Sequence, residues 1–172
     1  MSEPNFAGNI IVNLASLPDF LRTPILKKRM TEFFSKNDDE KAEIIINALN
    51  AGPTIPFPNF SKLFKTWLEV LSTINNENRE DMFSNYFKHI LASPDKIILF
   101  NLDAIFEIFL QVDSQKQQIL IASIKIVFAK ISQTPVIFFY IFFNHLDTLS
   151  VGNYRGKMRV FIILTLVVAA YS

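Results

Sequence analysis

Two histidines, His89 and His145, and no cysteine narrow the chemistry open to this chain. Without thiols there is no disulfide, no thiolate nucleophile and no cysteine-based zinc or iron–sulfur site. A metal site would have to combine a histidine with carboxylates. Asp147 follows His145 by two residues, a spacing that puts the two on different sides of a helix. His145 closes an apolar run, and a helix C-terminus favours a cation there. His89 falls on the polar face of its helix and reads as a solvated side chain. The acidic run Asp38-Asp39-Glu40 lacks the alternating oxygen ligands and the glycine of a calcium loop. Acids are favoured at helix N-termini, so this run reads as a cap. Only four glycines are present, and no phosphate-cradling loop can be written from them. Catalysis would need a pocket that gathers Asp103, Glu107 and His89. The expectation is a protein with no cofactor, no metal and no enzymatic activity.

Charge points away from nucleic acid as well. The formal net charge is +1, whereas binding to a phosphate backbone needs concentrated Lys and Arg. Lys27-Lys28-Arg29 is too short for that and reads as a solvated helix face. The balance conceals an asymmetry: of 17 basic and 16 acidic side chains, residues 117–172 carry 5 and 1. Half of all residues are apolar and the mean hydropathy is +0.26, on the apolar side for a globular domain. The N-terminal stretch lacks the basic lead and long apolar core of a secretory signal, and a cytoplasmic protein is expected.

The elements that would position any site are helices. In NFSKLFKTWLEVLSTI, Phe60, Leu63, Phe64, Trp67, Leu68, Leu71 and Ile74 recur at i, i+3, i+4, i+7, with Lys62, Lys65, Glu69 and Ser72 opposite. In the next helix Met82, Phe83, Tyr86, Phe87, Ile90 and Leu91 form a stripe, and Arg79, Glu80, Lys88 and His89 are assigned to the polar side. Asn75-Asn76-Glu77 turns the chain between the two. Similar units are drawn at about 24–50, 60–92 and 101–132, each with Asn, Asp or Ser where a helix needs an N-terminal cap. Pro53, Pro94 and Pro135 are 41 residues apart, a period that suits two-helix repeats. Thr23-Pro24, Ser93-Pro94 and Thr134-Pro135 read as helix starts, and GPTIPFPNF reads as an irregular loop. The predicted fold is all-α, with seven to nine helices in antiparallel hairpins that form an α-solenoid-like stack or an irregular bundle. Residues 1–132 are expected to make one helical-hairpin domain.

Residues 133–172 are different. Helix 117–131 is apolar nearly all round and reads as a core helix, because Lys125 and Lys130 would be costly in lipid. PVIFFYIFFNHL and VFIILTLVVAAY follow, joined by a mainly basic loop. The second is about 18 Å long as a helix, against a bilayer core of about 30 Å, so neither segment spans a membrane alone. They are expected to form a hydrophobic hairpin that completes the core or meets a partner or membrane surface. The candidate contacts are Phe138, Phe139, Phe142, Phe143, Arg155, Lys157, Arg159 and Phe161. The function that follows is a non-enzymatic helical scaffold or protein-interaction module, whose partner is another protein. A membrane-associated protein with a soluble head (1–115) and an insertion at 135–172 is the alternative. A helical binder of an apolar ligand is the third reading.

Overall fold

The computed structural model describes residues 6–93 and 95–131. Within them lie eight α-helices and no strand, so the all-α expectation holds. In chain order they are α1 (Phe6–Ser16), α2 (Asp19–Phe34), α3 (Asp38–Ala51), α4 (Phe57–Ser72), α5 (Asn76–Ala92), α6 (Asp95–Ile98), α7 (Leu102–Leu110) and α8 (Ser114–Ile131). A 3-10 turn, Gly52–Thr54, follows α3.

One short turn recurs between consecutive helices. The residue after α2, α4 or α7 stays near helical geometry: Ser35 at φ −86°, ψ −4°, Thr73 at −91°, −9°, and Gln111 at −83°, −10°. Two residues later an extended Asn37 or Asn75 caps the next helix, each accepting from the backbone amide three residues on. Asn101 and Asp113 cap α7 and α8 in the same way. Asn37 and Glu40 form a full capping box, with bonds of 3.0 and 3.2 Å, so the acidic run 38–40 is a cap. The outgoing ends are tied by hydroxyls: Ser16, Ser35 and Thr73 each donate to the carbonyl three residues back at 2.7–2.8 Å. Among the described residues none has a positive φ, so these turns form without the left-handed glycine that ends many helices.

Three sequence expectations need correction. Thr23-Pro24 does not start a helix: α2 begins five residues earlier and runs through Pro24. Extended Pro18 (φ −61°, ψ 153°) nucleates its first turn, its carbonyl accepting from Leu21 and Arg22 at 3.1 and 2.9 Å. Pro24 removes only the bond to Phe20, and both residues are exposed, where water can replace it. GPTIPFPNF is shorter as a loop than it reads. Its first residues form the 3-10 turn, and α4 opens at Phe57 with Pro58 in its first turn, where a missing N–H costs nothing. Finally, Arg79 is buried and does not lie on the polar face expected for it.

Helix α4 is the hub, in contact with α1, α2, α7 and α8, while α5 lies along α8 and α3 bridges α1 and α5. That position explains why α4 buries more than the stripe read from its sequence. Leu63, Leu68 and Leu71 are buried as expected, but so are Thr66, Val70 and Ser72. From α8, Leu120, Ser123, Val127 and Phe128 are buried, so this segment is a core helix. An aromatic file follows α4 and crosses to its neighbours. Phe100 meets Phe60, Phe60 stacks on Phe64 and Phe64 on Trp67, all at 5.6–5.8 Å between centroids. Trp67 then meets Phe83 and Tyr86 edge-on, and Phe83, Phe87 and Phe128 continue the file to α8. Gly52 sits beneath it: a Cβ there would lie 2.5 Å from the Phe100 ring and would have to displace it, so glycine serves space here rather than backbone freedom.

Of the predicted repeat, Pro53 lies in the 3-10 turn, whereas Pro94 and Pro135 lie outside the described residues. The hydrophobic hairpin at 133–172 also lies outside them.

Candidate functional site

Two arginines sit in the core, Arg22 at 1% and Arg79 at 4% exposure. A buried guanidinium is stable only if its donors are met, and both are met in the same way. Arg22, in the first turn of α2, reaches back to the end of α1: Nε donates to the Leu14 carbonyl at 3.2 Å and Nη2 to that of Leu17. Its Nη1 donates to Thr66 Oγ1 on α4 at 3.1 Å. Arg79, in the first turn of α5, reaches back to the end of α4. Its Nη1 donates to the Ile74 carbonyl at 2.6 Å and more weakly to that of Ser72 at 3.5 Å, and Nε donates to Ser123 Oγ on α8 at 2.7 Å. In both cases the hydroxyl lies 44 residues further along the chain.

The last carbonyls of a helix have no partner within it and carry the negative end of the dipole. A guanidinium offers five N–H donors in a rigid fork. Each arginine therefore clamps the preceding helix end to the following helix and to a third helix that supplies a hydroxyl. A neutral version occurs at the third such turn, where Gln117 Nε2 donates to the carbonyls of Val112 at 2.7 Å and Leu110 at 3.2 Å.

The clamps differ in charge. Three residues before Arg22 stands Asp19, whose Oδ1 lies 2.9 Å from Nη1. Three residues before Arg79 stands Asn76, whose Oδ1 accepts from Nη2. Arg79 thus has only neutral acceptors among the described residues. Burial holds its guanidinium below the ordinary value, partly offset by neighbouring Glu80, and an arginine remains charged even so. Glu80 is engaged by Lys130 at 2.8 Å.

Over Arg79 lies a groove of about 430 Å3 between the α4–α5 turn and α8. Ile74, Ile119, Ala122 and Ile126 give it apolar walls, and the buried Ser72, Arg79 and Ser123 give it a polar floor, with the exposed Asn76 and the half-buried Glu80 at the edge. Ile126 is 43% exposed. Apolar walls around a few convergent polar groups are the usual form of a binding site.

The candidate contacts read from the sequence, Phe138, Phe139, Phe142, Phe143, Arg155, Lys157, Arg159 and Phe161, all lie outside the described residues, as does His145. His89 is half-buried, and burial followed by Lys88 lowers its pKa. Burial pushes the Tyr86 hydroxyl up to about 12. Lys28 and Arg29 both pair with Glu32, at 3.9 and 2.9 Å, on an open helix face. Among the described residues no three His, Asp or Glu side chains are grouped to hold a metal ion. No helix there is long and apolar enough to cross a membrane.

The assignment of Arg79 to a polar face misses this site. A signal was present in Ser16-Leu17-Pro18-Asp19-Phe20-Leu21-Arg22 and Thr73-Ile74-Asn75-Asn76-Glu77-Asn78-Arg79. Both read hydroxyl, aliphatic, any residue, Asp or Asn, two residues, arginine. No family model, curated protein or solved structure matches the chain.

Proposed function

We propose that this protein is a non-enzymatic helical interaction module, and that the groove over Arg79 is where it holds another protein. The observation that carries this reading is the union of an apolar, open-sided groove with a rigid polar floor. Its floor is fixed by the same hydrogen bonds that clamp α4, α5 and α8 together, so the surface is organised before a partner arrives, which lowers the cost of binding.

Ile126→Glu tests this, because it places a charge on the apolar wall at an exposed position. Full-length protein and variant would be used side by side to capture partners from cells, with circular dichroism and melting to show an equal fold. A protein retained stoichiometrically by the wild type and lost with Ile126→Glu is the expected result. Equal recovery by both would remove the groove from the binding surface, and no retained protein would remove the reading.

A further inference from the structure

The two clamps differ in the source of their negative charge. Around Arg22 the negative charge comes from within, from Asp19 at 2.9 Å. At Arg79 the corresponding position is Asn76, and Glu80 is bound to Lys130. The floor of the groove therefore keeps a guanidinium that forms no hydrogen bond or ion pair with a described carboxylate, Glu80 acting on it only as a neighbouring charge.

It also keeps donors. Of the five guanidinium N–H groups, one on Nε, two on Nη1 and one on Nη2 are used, which leaves an Nη2 hydrogen. Ser123 Oγ accepts from Arg79 and still has its own O–H to donate. Asn76 accepts through Oδ1, which leaves its amide NH2. Three donors on a cationic floor match the two oxygens of a carboxylate, since charge-assisted bonds of this kind are the strong ones. The walls formed by Ile74, Ile119 and Ile126 match aliphatic neighbours.

We propose that the groove receives an Asp or Glu side chain flanked by aliphatic residues on a partner polypeptide, its carboxylate supplying to Arg79 what Asp19 supplies to Arg22. This rests on the interaction-module reading and names the occupant of the same site. Free acetate would share the charge but not the walls, and a glutamine peptide would share the walls but not the charge.

The test uses 15N-labelled full-length protein and follows the Arg79 Nε–H resonance, identified by its loss in Arg79→Lys. Acetyl-Leu-Glu-Leu-amide should shift it saturably, while acetyl-Leu-Gln-Leu-amide and acetate should bind at least about tenfold more weakly, a factor worth about 1.4 kcal/mol. Asn76→Asp should weaken the glutamate peptide by a similar factor without lowering the melting temperature, because the chain then provides its own carboxylate. Equal binding of the two peptides, undiminished binding to Asn76→Asp, or no saturable shift would each overturn the proposal. The last includes a groove already filled by the chain itself. A partner still captured through Ile126 after such a failure would leave the interaction reading standing and remove only its acidic occupant.

Discussion

The clamps at Arg22 and Arg79 apply one solution to two neighbourhoods. Both arginines rise from the first turn of a helix, neutralise the carbonyl end of the preceding one and take a hydroxyl from a third. The first has its own counter-ion, the exposed Asp19, beside a guanidinium with almost no exposed surface. The second is built from neutral acceptors and borders a groove. A structural motif thus acquires a candidate binding surface where an acid is exchanged for an amide, although the hydroxyl is met by Nη1 at Arg22 and by Nε at Arg79.

Removing either arginine should have the largest effect. Arg22→Met leaves the carbonyls of Leu14 and Leu17 and the hydroxyl of Thr66 without their donor, and should cost about 3–5 kcal/mol, since each buried acceptor left unpaired costs about 1–3 kcal/mol. Arg79→Met should cost less, about 2–3 kcal/mol, because water in the groove can reach the vacated acceptors. Urea midpoints at constant slope measure both, and a larger loss at Arg79 would contradict that distinction.

The hydroxyls come next. Ser123→Ala leaves the Arg79 Nε–H without its partner and should cost about 1.5–3 kcal/mol, the value of a hydrogen bond to a charged group. Thr66→Val should cost less, since the same Nη1 keeps Asp19 at 2.9 Å. Reversal of that order would mean that Asp19 is not a functional counter-ion.

Exchanging the charges should have smaller effects. Asp19→Asn should destabilise by about 0.5 kcal/mol, a small value because the Asp19 side chain is 84% exposed and the pair is screened. Asn76→Asp should stabilise by about 0.5–1 kcal/mol, adding an acid to a helix N-terminus as well as to a cation. A loss of stability in Asn76→Asp would show that Glu80 already compensates Arg79.

The smallest effect is titration at the far end of α5. Burial and Lys88 depress the His89 pKa, so the unfolded chain takes up that proton first as the solution is acidified. The associated stability is complete above the unfolded value of about 6.5 and declines as pH falls below it. His89→Gln should flatten the urea midpoint between about pH 7.5 and 5.5, and an unchanged slope would assign the effect to other groups.

Legibility in the sequence followed periodicity and caps. The apolar stripes of α4 and α5, the core role of α8 and the caps at Asn37, Asn75 and Asp113 could all be read from local spacing, because a helix repeats every 3.6 residues and its open ends need oxygen. Arg79 could not, because a helical wheel assigns a residue by type and angle. A long side chain in the first turn can bend back over the preceding helix end and be buried there. Thr66 and Ser72 escaped for a related reason: they lie off the apolar stripe of a helix that has neighbours on several sides. The prolines misled at residues 24 and 58 because proline is tolerated inside helices where its missing donor faces water or belongs to the first turn.

Helix α4 serves both clamps: Thr66 accepts from Arg22, while Ser72 and Ile74, at its outgoing end, accept from Arg79. Opening either clamp disturbs the helix that anchors the other, so the two halves should melt as one cooperative unit. Trp67, the only tryptophan in the chain, is next to Thr66 and packs on Phe83 and Tyr86 of α5. Its fluorescence is therefore a single built-in reporter for both junctions, and should follow the same transition as the helical signal.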